Sequence, residues 1–376
     1  MKNVLYLCLL ACIISCNQVD NPTENRVVAP TETKEDTLST TIVSSFVFVG
    51  CNRVNRSDEK NPNATDASTA NLAALQRIYD DILELEHQPD LFFFLGDLVL
   101  GESTTEKLDN QLEAWVQLFK DTTFSKISES GIELVAVPGN HEMLTYADHG
   151  DPEHDEWPLK GATELWMKHM GPFIPLDCEH VTGTDSINNQ ATFSFVRNNL
   201  GFVVMNTDTY NAPTEQAPYG LEGMIPLDWI EKKIKALQAD PTIEHVFVLG
   251  HKPYYVDGKP QTGHKGFPDG PKLWPLLYQS RVVAMLSAHV HDYNREQPNG
   301  DGTYQIIAGN GGSPGPAQFF VYTIINVLSD GTLELESRGF NVGEPYYKAV
   351  PEHPMLVRDS TILTWDKNKN PYQLNQ

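Results

Sequence analysis

The stretch AVPGNHE, Ala136 to Glu142, sets an amide, an imidazole and a carboxylate side by side directly after an apolar run in which Glu133 is the only charge. Asn and Gly are ordinary turn residues, so the stretch alone reads as a turn. Four other apolar runs end in the same manner. SFVFVG precedes Cys51-Asn52-Arg53, DLFFFLG precedes Asp97, EHVFVLG precedes His251, and RVVAMLS precedes a segment carrying His289 and His291. Carboxylate, imidazole, amide oxygen and thiolate are the side-chain groups that hold metal ions. A lone histidine at a strand end is more often structural than ligating, and His180 and His245 are read that way. The shared register of His141, His251, His289 and His291 points instead to a site.

Something must bring these remote clusters together. The apolar runs are four to seven residues long and rich in Val, Phe and Leu, which suits strands covered on both faces. Between them lie amphipathic patterns: TANLAALQRIYDDILELE puts Leu72, Leu75, Ile78, Ile82 and Leu85 on one helical face. NQLEAWVQLFKD and LDWIEKKIKALQA repeat the pattern, the latter with Asp228 near its start, where a carboxylate suits the helix dipole. Later runs, ATFSFV, GFVVMNTD, TYQIIAG and QFFVYTIINV, predict further strands, with hairpins toward the C-terminus. The sum is a layered α/β domain with sheets flanked by helices. In such folds the loops beyond the carboxyl ends of strands share one edge, where five separate clusters can meet.

With 376 residues, 40% of them hydrophobic, the chain has material for one large domain or two small ones. Its formal net charge of −23 argues against nucleic acid or an anionic membrane surface as partner. An anionic substrate would need locally concentrated positive charge, such as metal ions. At the N-terminus Lys2 precedes the apolar run VLYLCLLACII, which is too short for a stable membrane span. Its ending, IISC, resembles the lipobox of bacterial lipoproteins, whose Cys, here Cys16, is acylated; plain cleavage near Ser15 is the alternative. The expected organisation is a signal peptide over 1–16, a Thr-, Asn- and Pro-rich tether over 17–44, a domain over 45–350 and a peripheral tail over 351–376. That places the protein outside the cytoplasm, anchored on the periplasmic face or the cell surface. Cys51 and Cys178 then stand as a candidate disulfide pair.

Gly96-Asp97, Gly139-Asn140-His141-Glu142, Gly250-His251 and His289-Val290-His291 resemble, in order and spacing, the motifs of the calcineurin-like metallophosphoesterases over roughly residues 45 to 310. Within that superfamily AHVHDYNRE and GHKPYY are most similar to the purple acid phosphatase branch. The resemblance implies two mixed β-sheets packed together and flanked by helices, and hydrolysis of phosphate esters at two metal ions, of Fe, Zn or Mn. Two cations about 3.5–4 Å apart can clamp a phosphoryl group and activate water. On this pattern Asp97 bridges the metals, Asn140 supplies a neutral oxygen, and His251 and His289 complete the second site. His291 would reach the first metal, since strand-like alternation points residues i and i+2 alike. His141 takes the general-acid role toward the leaving group, and Glu142 supports the loop.

The pattern breaks at its first motif. Where the family has Asp-x-His, this chain has Cys51 and Arg53, and arginine cannot ligate because it stays protonated. Gly50-Cys51-Asn52 is reminiscent of the alkaline phosphatase D-like branch, whose Cys at this place is a metal ligand. A thiolate keeps the charge of a carboxylate while softening the site, and Arg53 is left to contact a phosphate oxygen. Position 100 is leucine where purple acid phosphatases carry an iron-binding tyrosine, so no tyrosinate colour is expected. Candidate substrate contacts are Asn52, the 208–209 pair of NTDTYN (Asp208 and Thr209), and His264 in GHKGFPDG; plain loops are the alternative for these segments. The rival to a hydrolase is a degenerate surface lipoprotein that binds a metal or a phosphorylated ligand without turnover.

Overall fold

The computed structural model describes residues 40–55, 65–121, 124–145, 157–181, 190–209, 223–313, 315, 318–342 and 353–364. The expected signal peptide, Cys16 and nearly all of the tether lie outside them. Two sheets dominate. The first has six strands in the order 356–362, 333–341, 319–328, 42–49, 91–95, 133–137, the last three parallel. The second has seven in the order 293–296, 304–308, 284–287, 245–250, 200–205, 193–197, 179–180, with four consecutive parallel strands at its centre.

The continuous apolar runs have a direct cause: each central strand is buried on both faces. Along strand Ile42–Val49, Phe46 and Phe48 point into the layer between the sheets, while Val47 and Val49 face helices. Leu91, Phe93 and Leu95 of the next strand likewise face the other sheet, and Phe92 and Phe94 the helices. Between the sheets, Phe46 meets Phe202 and Phe247 edge-on, with ring centroids 5.4 and 5.0 Å apart. Helices Leu72–Leu83, Thr105–Lys120 and Ala162–Met170 cover the outer face of the first sheet. Leu227–Ala239 and Gly270–Gln279 cover the second. Leu75, Ile78 and Ile82 are buried as the helical spacing predicts, whereas Leu85 lies beyond the last turn and packs from outside.

Two elements depart from the sequence reading. The tail expected to be peripheral contributes strand Leu356–Ile362, which extends the first sheet by pairing with 333–341. It is also tied to the second sheet, since Asp359 accepts hydrogen bonds from Tyr293 and Arg295 at 2.7 and 2.6 Å. Helix Gly270–Gln279 forms although it contains Pro271 and Pro275: the first sits in the opening turn, where no amide hydrogen is needed, and the helix is held by burial of Leu273, Trp274 and Leu277.

Candidate metal centre

Five parallel strands deliver the candidate residues, and all five end at one edge of the two-sheet layer. The loops approach so closely that glycine is required. A Cβ at Gly96 would stand 2.6 Å from His251 Nδ1, and one at Gly50 would stand 2.5 Å from the Cβ of Ala288, across the seam between the sheets. Gly50 thus makes room for alanine at 288. Cys51, Asp97 and His289 have positive φ values of 58, 57 and 60°. Left-handed backbone at a non-glycine residue costs about 1–3 kcal/mol, so the surrounding fold holds three candidate ligands in unfavourable conformations.

One half of the cluster is tightly convergent. Asn140 Oδ1 lies 3.0 Å from both His251 Nε2 and His289 Nδ1, and those two nitrogens are 3.2 Å apart, all buried. His251 Nδ1 donates to the Leu95 carbonyl at 2.6 Å, which turns Nε2 toward the cluster. Burial works against a charge on His251, but Asp97, 3.3 Å from Nε2, outweighs it and raises its pKa to about 9. His289 is driven well below the usual range by burial and by the positive charges of His251 and Lys252. His251 Nε2 thus faces Asp97, Asn140 and His289 together. A cation suits this place, because each of these groups can offer it a lone pair.

The other half is sparser. Asp97 Oδ2 lies 3.8 Å from Cys51 Sγ while its Oδ1 faces His251, so the two carboxylate oxygens serve opposite halves. Ligand atoms of Cys51, Asp97 and His251 all lie within 4.8 Å of one another. Burial, then the Asp97 charge, pushes the Cys51 thiol well up. For Asp97 burial acts upward too, but the positive charges of His251 and His141 hold the carboxyl well below its usual range. Cys51 and Cys178 are both free thiols, so the candidate disulfide is absent; Cys178 Sγ is 3.3 Å from His180 Nε2 instead. His291 stands outside the mutually close set, half-buried with its Cβ beside Gly315.

Glu142 braces the site from beneath. Its carboxylate accepts the backbone N–H groups of Asp97, Val99 and Gly139 at 3.0, 3.1 and 2.8 Å, tying two strand-end loops together. Burial, followed by the Asp97 charge, raises its pKa to about 7. His141 donates its backbone N–H to Asp97 Oδ1 at 3.1 Å, and its Nδ1 meets the Leu100 carbonyl at 2.9 Å. Arg53 is half-buried at the rim, one guanidinium nitrogen on Asn55 at 3.0 Å. His264, which is exposed, packs edge-on against His289 with centroids 4.9 Å apart.

The remaining candidates are spent on structure. Asn52 is fully buried: its Nδ2 donates to the carbonyls of Asn71 and Gly311 at 3.2 and 2.8 Å, and its Oδ1 accepts the Asn71 N–H at 2.9 Å. No polar group of its amide is left for a substrate. Asp208 is equally buried and pairs with Lys252 at 3.1 Å, and Thr209 donates to the Met224 carbonyl. His180 and His245 bond to the carbonyls of Gln190 and Gly331, away from the cluster, as structural histidines do. Sequence reasoning missed Lys252; the only signal for it was its place directly after His251.

The chain matches the calcineurin-like phosphoesterase family over residues 54–293, more than half its length, and belongs to that family. No curated protein is significantly similar to it in sequence. Among solved structures it is similar to PhoD, at 12% identity and a TM-score of 0.54, over 88% of this chain and 71% of that one. It is similar also to GAP50, the anchor in the inner membrane complex of Plasmodium, at 13% identity and a TM-score of 0.52, over 88% of this chain and 91% of that one. At such identities the likeness is one of fold.

Proposed function

We propose that this calcineurin-like phosphoesterase hydrolyses phosphate esters at two metal ions held by Cys51, Asp97, Asn140, His251, His289 and His291. The observation that carries this reading is the convergence of Asn140 Oδ1, His251 Nε2 and His289 Nδ1 within 3.0–3.2 Å of one another, buried and supported by Asp97. The donor set of thiol, carboxylate, amide oxygen and imidazole fits zinc, manganese or iron. When bound, such a pair supplies Lewis acidity and a water nucleophilic at neutral pH.

The chain's own residues account for the rest. Asp97 extends one oxygen to each half, and Glu142 fixes the loops that carry Asp97 and Asn140. The Leu95 carbonyl holds His251 Nδ1, so Nε2 would be the nitrogen offered to a cation. His141, held at Nδ1 by Leu100, would carry a transferable proton at Nε2 and deliver it to the departing ester oxygen. Arg53 and His264 stand at the rim, where they suit phosphate oxygens and the organic part of the substrate. The proposal extends to export as a lipoprotein anchored through acylated Cys16, on the periplasmic face or the cell surface, with a phosphorylated compound as substrate.

A non-catalytic binder is favoured by one feature, the altered first motif, in which Cys51 and a non-ligating Arg53 stand where the resemblance implies Asp and His. Metal counts and aryl-phosphate hydrolysis of the wild type, Cys51→Asp and Cys51→Ala separate the two readings. Hydrolysis predicts about two metals and turnover in the wild type, partial retention with Asp, and loss of one metal and most activity with Ala. Full activity in Cys51→Ala removes Cys51 from the centre. An inactive wild type that takes up no metal after reconstitution leaves the binder.

A further inference from the structure

Lys252 and Asp208 form an ion pair at 3.1 Å with side chains about as buried as any in the molecule, at 1% and 0% exposure. A pair sealed in this way is a poor source of stability, since the desolvation of two charges offsets their attraction. It does impose geometry, because breaking it strands a buried charge. Its surroundings are ordered around it. The Thr207 hydroxyl donates to Asp208 Oδ2 at 2.9 Å and accepts the backbone N–H of Lys252 at 3.0 Å. The Asn206 side-chain oxygen accepts the Asp208 N–H at 2.9 Å. At the same place a Cβ on Gly250 would come within 2.8 Å of the Thr207 methyl, so the two strand ends interlock.

This clasp leads directly to the convergent half of the cluster. Lys252 is bonded to His251, and the His251 carbonyl accepts the Ala288 N–H at 2.9 Å, one residue before His289. A continuous path therefore runs from Asp208 through Lys252 and His251 to His289, crossing three adjacent parallel strands. We propose that the Lys252–Asp208 pair is a positioning device that locks the loops carrying His251 and His289 at the spacing a cation requires. The inference rests on the functional reading above. It adds two residues that touch neither metal nor substrate.

The test uses the full chain and zinc alone as probe. The neutral double variant Lys252→Met/Asp208→Asn keeps the shapes and the Thr207 hydrogen bond while removing both charges. Its melting temperature in chelator is expected to equal or exceed that of the wild type. Its affinity for zinc at the Asn140–His251–His289 site should fall by about tenfold or more, the range seen when groups behind a ligand are altered. With aryl phosphate, kcat should fall further than KM rises. Lys252→Arg retains the pairing and should bind zinc with intermediate affinity. If both variants bind zinc as the wild type does, the pair is structural only and the inference fails while the proposed function stands. If the wild type itself binds no zinc, both fail.

Discussion

Asn140, His251 and His289 make three mutual contacts between 3.0 and 3.2 Å, whereas in the opposite half Cys51 approaches Asp97 at the looser distance of 3.8 Å. The convergent half is braced from behind by Leu95, Glu142 and the Lys252–Asp208 pair. The sparse half holds Cys51 and Arg53, the positions at which the sequence departs from the pattern its resemblance implies. Asp97 nevertheless stands between the halves, with Oδ2 turned to Cys51 and Oδ1 to His251, so a looser first half leaves the second in place.

Each half can be broken separately. His251→Ala should produce the largest effect, loss of one zinc and a fall in aryl-phosphate turnover of about a thousandfold, because several kcal/mol of transition-state stabilisation depend on that half. Retention of two zinc ions in this variant would show that His251 is not a ligand. His141→Ala should lower kcat by about a hundredfold or more with the metal count unchanged, the signature of a proton donor and not of a ligand. Arg53→Met should cost about tenfold in kcat/KM, the worth of one charge-assisted hydrogen bond to phosphate. If Arg53→Met changes the metal count instead, the residue belongs to the support of the sparse half.

Protons sharpen the contrast further. At neutral pH, zinc loading should displace about two protons from the wild type, one from His251 and one from the Cys51 thiol, and about one from Cys51→Ala. Calorimetric titration in buffers of different ionisation enthalpy counts them. The smallest effect concerns the metal-free protein. His251 has its pKa raised by Asp97, so its contribution to stability is complete below about pH 6.5 and is lost as pH rises through about 9. Melting temperatures in chelator should therefore decline across that interval, and the decline should be absent once zinc is bound.

Much of the architecture was legible in the sequence because the central strands are buried on both faces, which writes them as unbroken runs of Val, Phe and Leu. Strand Leu356–Ile362 carries no such run: it lies at the sheet edge with Leu356, Val357 and Ile362 exposed, and Arg358 and Asp359 interrupt it. Helix Gly270–Gln279 was hidden by its two prolines. In the site, residue types and register located Asp97, Asn140, His251 and His289, but a sequence does not say where an amide points. Asn52 looked as available as Asn140, yet Asn71 and Gly311 consume it. Asp208 stood out as a substrate contact, but its pairing with Lys252 escaped notice because that partnership exists only after two parallel strands have aligned.

The seam at Gly50 and Ala288 has a consequence for dynamics. Because the candidate ligands descend from both sheets, a cation between Cys51, Asp97, His251 and His289 would act as a rivet through two layers that already share hydrogen bonds at this seam, such as Gly50 N–H to the Ala308 carbonyl at 2.9 Å. Amide hydrogens at the carboxyl ends of strands 91–95 and 245–250 should then slow their deuterium exchange in unison on loading, while those at the opposite strand ends keep their metal-free rates.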